Sequence, residues 1–326
     1  MISAATKRLL KDTGARVPVV CGPMYPGSNP ELVAAVSDAG GFGVVQPIAL
    51  TRLYGHDYRE GLRLIKSLTD KPFGVNITIL PKTAASAKYA KMNEMFADIA
   101  IEEGVEFLLT SLGKPNDIVE KAHANGVKVY HDVHNAKLAK LAYEAGVDGL
   151  NLLNSSMGGQ TGAHTAEEII AAVKPLVPDD FPLMCAGGVA TKKQLNHLQD
   201  LGYAGAQLGT RFLATHEANV TDAYKQAIVK ASSSDIVWTN KLAGTNSSVI
   251  NTPMVSEGGL RTNALVSFLL RTPATKALTR LYLLQGALEK YDQAAFDPEI
   301  QYWQAGKGVD GIHDVLGCNE VINEFE

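Results

Sequence analysis

Short runs of apolar residues alternate with longer stretches in which apolar residues recur every three or four positions, a rhythm that holds from Val17 to about Ala231. The short runs span 17–24, 42–47, 72–79, 107–111, 128–133, 149–153, 182–188 and 205–212. Several are apolar throughout, as strands of a parallel sheet covered on both faces must be. The amphipathic stretches between them predict helices over 30–39, 58–68, 87–103, 116–124, 136–145, 165–176, 192–201 and roughly 217–231. Gly40, Gly104, Gly126, Gly146 and Gly202 fall at or just past the ends of these helices, where glycine takes the left-handed conformation that closes a helix. Eight strand–helix units in a row predict an α/β fold, a (β/α)8 TIM barrel. An open doubly wound sheet has the same alternation and stays open as an alternative.

After Ala231 the rhythm changes. Residues 232–264 are rich in Ser, Thr, Asn and Gly, helical patterns return around 266–270 and 277–291, and the tail carries Tyr302-Trp303-Gln304-Ala305-Gly306-Lys307-Gly308. The division expected is a barrel over 1–231 and a small helical C-terminal extension over 232–326 packed on it. A length of 326 residues suits a barrel with such an appendage. The helical part of the extension could form a homodimer interface, or equally pack on the barrel.

Composition narrows the class. The chain is 46% hydrophobic and 20% charged, with net charge −4, and its 30 basic residues are scattered, which argues against a nucleic-acid partner. Cys21, Cys185 and Cys318 lie far apart without metal-like spacing and read as reduced thiols. No segment reaches the roughly 20 apolar residues of a membrane span, and the N-terminal stretch lacks a signal-peptide core. The expectation is a cytoplasmic enzyme without a metal.

In a TIM barrel the active site lies at the C-terminal ends of the strands, and the loops after the seventh and eighth strands commonly hold a phosphate. The seventh predicted strand ends in Ala186-Gly187-Gly188-Val189 and the eighth in Gln207-Leu208-Gly209-Thr210-Arg211-Phe212. Glycine lets backbone N–H groups approach phosphate oxygens, and Thr210 adds a hydroxyl donor. Either cluster alone reads equally as a tight turn. The two together point to a phosphorylated ligand.

Its identity comes from resemblance. Val17-Pro18-Val19-Val20-Cys21-Gly22-Pro23-Met24, the stretch Pro30 to Gly43, Phe73-Gly74-Val75-Asn76, the two glycine clusters and Tyr302-Trp303-Gln304-Ala305-Gly306 together resemble the nitronate monooxygenases. The resemblance implies an FMN-dependent barrel oxidoreductase. Gly22, Pro23 and Met24 would lie against the flavin ring, although Met24 taken alone reads as a core methionine. Asn76 would hydrogen-bond the flavin or its chain. Gly187, Gly188, Gly209 and Thr210 would hold the phosphate with Gln207 nearby, and Ala186, Gly158 and Gly159 would also contact the cofactor.

The loop after the sixth strand departs from the family. Related enzymes carry Gly-Gly-His there, with the histidine as base or substrate contact; this chain has Gly158-Gly159-Gln160. A glutamine amide donates and accepts hydrogen bonds but takes no proton at neutral pH. His164 is expected near a helix start, whereas His131, late in the fifth strand, is expected to point into the barrel mouth, where an imidazole could hold an anion or polarise the flavin. His131 and Gln160 are therefore the candidate catalytic residues. Oxidising a nitronate needs no C–H deprotonation, so the expected activity is oxidation of alkyl nitronates by O2 to a carbonyl compound and nitrite, with poor use of neutral nitroalkanes. The alternatives are an NAD(P)H-dependent flavin reductase acting on enoyl-acyl-carrier protein or quinones, a phosphate-binding barrel lyase or isomerase, and a flavin-binding protein with little catalysis.

Overall fold

The computed structural model describes residues 2–80, 83 and 86–326. Eight parallel strands close into a barrel: β1 (Val19–Cys21), β2 (Phe42–Val45), β3 (Gly74–Ile79), β4 (Phe107–Leu112), β5 (Lys128–Val133), β6 (Gly149–Leu153), β8 (Leu183–Ala186) and β9 (Gly205–Leu208). β1 pairs with β2 on one side and with β9 on the other, which closes the ring. The intervening β7 (Gly159–Gln160) lies outside it, in a second sheet with β10 (Ile236–Thr239) and β11 (Ser247–Ile250).

The (β/α)8 expectation is met, and the helices Tyr58–Leu68, Asn116–Ala124 and Lys192–Leu201 have the predicted bounds. Gly40 and Gly202 take φ of 95° and 107°, and Gly104, Gly126 and Gly146 are also left-handed. The expected strand over 205–212 is shorter: Thr210–Leu213 is a single helical turn.

Inside the barrel, large and small residues complement one another. Phe42 and Phe107 pack edge to face at 4.9 Å and Phe107 lies 4.8 Å from Tyr130. Their rings fill the space that side chains on neighbouring strands would need: a Cβ on Gly149 would lie 2.3 Å from Tyr130, and one on Gly74 would lie 2.9 Å from Phe42. Below them sits a helix the apolar pattern did not predict, Ala4–Thr13, whose Ala5 and Leu9 join this inner cluster and whose Asp12 accepts a 3.0 Å hydrogen bond from the Tyr130 hydroxyl. The N-terminal end of the barrel is thereby plugged.

The segment after residue 231 is not purely helical. β10 and β11 pair antiparallel, and β11 continues onto β7, with Ser247 opposite Gln160 and Ser248 opposite Gly159. Helices Ala264–Arg271 and Pro273–Phe296 follow, exposing Leu265, Phe268, Leu278 and Tyr282. The aromatic tail then returns to the barrel, where Trp303 stacks on Tyr224 at 5.7 Å and the Tyr224 hydroxyl donates to the Gln304 carbonyl at 2.6 Å. No helix among the described residues is long and apolar enough to cross a membrane.

Candidate functional site

Strand alternation decides which side chains reach the barrel mouth. Residues in register with the inner cluster, such as Val44, Leu109 and Tyr130, point inward; Val45, Leu108, Val129 and Val133 point outward into the helix layer. Continuing the inward series toward the C-terminal ends gives Gln46, Asn76, Asp132, Asn151 and Gln207. These form a polar floor above the apolar fill. Gln46 Nε2 donates to Asn76 Oδ1 at 2.9 Å, and Asn76 Nδ2 donates to the Leu109 carbonyl at 2.9 Å. Across the mouth, Asn151 Nδ2 donates to Asp132 Oδ1 at 2.7 Å and to Gln207 Oε1 at 3.1 Å. Asn151 Oδ1 is buried without a partner, a costly arrangement for an amide oxygen.

A cavity of about 480 Å³ opens over this floor, within the range usual for a cofactor pocket. Its lining includes Gly22, Pro23, Met24, Asn76, Gly158, Gly159, Gln160, Gly187, Gly188, Gln207, Gly209 and Thr210, so these expected residues converge on one space. Ala186 is fully buried and is not on that surface; its carbonyl accepts a 3.2 Å bond from the Asn154 amide.

His131 does not reach the cavity. It has the outward parity of Val129 and Val133, is 3% exposed, and its Nδ1 lies 2.8 Å from Thr110 Oγ1. Burial pushes its pKa down to about 4, only partly opposed by a backbone hydrogen bond at Leu112, so at neutral pH it is an uncharged packing residue. The expectation of an imidazole in the mouth is corrected: being late in a strand fixes depth, whereas odd or even position fixes the face. His164 also stays outside, exposed, with Nδ1 3.8 Å from Glu168 Oε2.

The carboxyl next door has the inward parity. Asp132 lines the cavity, and burial pushes its pKa up to about 7 against the opposing effect of the Asn151 amide. Both protonation states are populated at neutral pH, so this carboxyl can accept a proton and return it. His134, two residues on, lines the same space. Both residues were visible in the sequence as Asp132-Val133-His134, but spacing by two in a strand carries no chemical signal until the face is known.

At the opposite end glycine backbones press together. Gly187 and Gly188 take φ of 112° and 80°, and a Cβ on Gly187 would lie 2.5 Å from the Met157 nitrogen. A Cβ on Gly158 would lie 2.8 Å from the Gly306 nitrogen; on the floor side, one on Gly22 would lie 2.8 Å from the Gln207 side-chain amide. The Gly306 amide donates to Thr210 Oγ1 at 2.9 Å, leaving the Thr210 hydroxyl proton to be given elsewhere. Asn154, which sequence reasoning passed over, organises the loop: its Nδ2 donates to the Gly187 carbonyl at 2.9 Å and its Oδ1 accepts from the Ser156 amide at 2.7 Å. Gln304, Gly306 and Gly308 from the tail complete the wall. No lysine or arginine occurs among the described lining residues, so an anion here is met by N–H and O–H dipoles.

The sequence profile of the family described as Nitronate monooxygenase matches residues 7–326. The chain belongs to that family. It is accordingly an oxidoreductase, and the resemblance read from Gly22-Pro23-Met24 through the aromatic tail is borne out. Among curated relatives of this family member, a (3aS,4S,5R,7aS)-5-hydroxy-7a-methyl-1-oxo-octahydro-1H-indene-4-carboxyl-CoA dehydrogenase from Rhodococcus jostii is 31% identical over 78% of this chain and 68% of its own length. A nitronate monooxygenase from Pseudomonas aeruginosa is 28% identical over 68% of this chain and 73% of its own. Among solved structures, FabK from Thermotoga maritima superposes with a TM-score of 0.79 at 26% identity, covering 98% of this chain and 95% of that one. A nitroalkane oxidase from Streptomyces ansochromogenes shares the fold, with a TM-score of 0.78 at 21% identity over 98% of this chain and 96% of that one.

Proposed function

We propose that this nitronate monooxygenase family member holds FMN in the barrel-mouth cavity and oxidises alkyl nitronates with O2 to a carbonyl compound and nitrite. The observation that carries the reading is the cavity itself: a polar, amide-rich floor at one end and, at the other, backbones so close that no side chain fits at Gly158 or Gly187. Gly187, Gly188, Gly209 and Thr210 would hold the phosphate, closed over by Gly306 and Gly308. Gly22, Pro23 and Met24 would flank the ring, with the Gln46–Asn76 amide pair beneath. When bound, the flavin supplies a two-electron acceptor that O2 can reoxidise. Gln160, at the exposed rim, offers an amide N–H to an anionic oxygen of the substrate without competing for its charge.

The dehydrogenase from Rhodococcus jostii supports a second reading, oxidation of an acyl thioester, and the Asp132 carboxyl favours it because such chemistry starts at an acidic C–H bond. Purified protein is expected to show a flavin spectrum that bleaches on anaerobic addition of ethyl nitronate and recovers in air with nitrite release. Bleaching by an acyl-CoA alone would select the second reading; bleaching by NADH or NADPH alone would select a reductase. A protein that stays colourless after incubation with FMN would sink all three.

A further inference from the structure

We infer that Asp132 is the catalytic base of this site, taking the proton from a neutral carbon acid, the role that the Gln160 amide cannot fill. The inference deepens the proposed function and rests on its placement of the substrate in the barrel-mouth cavity. It removes the reason for expecting nitronates alone, which was the absence of any proton acceptor at Gln160.

Three observations converge on this carboxyl. Asp132 holds an inward position at the C-terminal end of β5 and lines the cavity. Its Oδ1 accepts a 2.7 Å hydrogen bond from Asn151, itself fixed by a second bond to Gln207, which leaves Oδ2 without a bonded protein donor among the described residues. Asn151 is fully buried, so the orientation of the carboxyl is set from below while its second oxygen remains available. The titratable groups sharing the cavity with it are Tyr25, His134 and Tyr224. No lysine or arginine lies among the described lining residues, and burial raises the carboxyl's pKa to about 7, where a base is both present and strong enough to act.

With a nitroalkane, the C–H bond breaks, an O–H bond forms on Asp132, and the electron pair spreads onto the nitro oxygens to give the nitronate. No oxidant is consumed in that step. Asn151 is a positioning residue: its amide favours the ionised carboxyl and fixes its direction.

The experiment follows deuterium entering the α-carbon of nitroethane in D2O, without oxygen, by proton NMR on the FMN-loaded protein. Wild type is expected to exchange faster than buffer, with a rate that rises with pH through about 7 as the carboxylate form appears. Asp132→Asn should reduce exchange to the buffer level and Asp132→Glu should restore part of it. The ratio of nitrite release from nitroethane to that from ethyl nitronate should fall about 10²–10⁴-fold in Asp132→Asn. Asn151→Leu should move the pH midpoint for nitroethane upward, a shift that a purely structural role would not produce. Wild-type exchange no faster than buffer, or Asp132→Asn exchanging as wild type does, overturns the inference. Exchange that depends on Asp132 in a protein unable to oxidise either substrate overturns the proposed function and leaves the base in place.

Discussion

The outer face of the barrel and its open mouth treat two consecutive residues in opposite ways. His131 points outward, packs between β5 and the helices, and is held neutral, with a pKa near 4. Asp132 points inward and lies in the cavity, and burial pushes its pKa up to about 7. One physical cause acts on both: removal from water penalises the charged form, which lowers a base and raises an acid. The difference in usefulness comes from access. The His131 proton sites meet Thr110 and backbone, whereas Asp132 meets the open cavity. A shifted pKa marks burial; it marks function only where something can reach the group.

That comparison can be broken at several points. The largest expected effect belongs to the mouth. Gly187→Val places atoms where the Met157 backbone already lies, and flavin fluorescence titration should show FMN binding weakened about 1,000-fold, about 4.1 kcal/mol. A bound flavin of unchanged affinity would remove Gly187 from the phosphate cradle.

The outer face predicts a pH effect on stability. His131 has a folded pKa of about 4 against an unfolded value of 6.5, so the folded state binds its proton less readily. Its contribution is fully present above pH 6.5 and is lost as pH falls toward 4, by about 3 kcal/mol. Urea unfolding of wild type and His131→Gln across that window should show their difference changing by this order, with the flavin spectrum undisturbed. A constant difference would mean that His131 is not buried in solution.

Asp132 predicts the reverse slope. Its folded pKa of about 7 exceeds the unfolded value of 3.8, so ionisation in the folded state costs stability that appears as pH rises from 3.8 through 7. Asp132→Asn should therefore be more stable than wild type at pH 8 and equal to it near pH 3.5. Because the carboxyl is partly open to the cavity, solvent screening keeps the gain on the order of 1–2 kcal/mol. Equal denaturation midpoints for the two proteins at pH 8 would place Asp132 in bulk-like solvent.

The smallest effect is Thr110→Val, which removes the hydroxyl between His131 and the Tyr130 carbonyl. It should cost about 1 kcal/mol in thermal or urea unfolding and leave nitrite release as in wild type. A loss of activity here would join the outer face to the chemistry.

The barrel was legible because parallel strands buried on both faces must be apolar along their length, and because Gly40 and Gly202 mark helix ends through a backbone geometry other residues resist. The glycine cluster after the seventh strand was legible for a related reason: close approach of the Met157 backbone excludes a side chain at Gly187. The catalytic assignment was not. Polar and apolar residues do not alternate along Lys128–Val133, and only the pairing of Tyr130 with the inner aromatic cluster reveals that His131 must face away. The helix Ala4–Thr13 escaped because its few apolar contacts, Ala5 and Leu9, meet the barrel floor and form no broad stripe. The strands β10 and β11 lie in a polar stretch whose order comes from pairing with β7, a contact more than eighty residues away.

That contact has a consequence for the order in which the protein becomes functional. All eight barrel strands have been made once the ribosome passes Leu208, yet the cavity still lacks the tail residues that close it, the last of them Gly308. A nascent chain stopped after residue 231 would thus possess all eight barrel strands and an unfinished cavity. Synthesis of the tail through Gly308, and not of the last barrel strand, is what closes it.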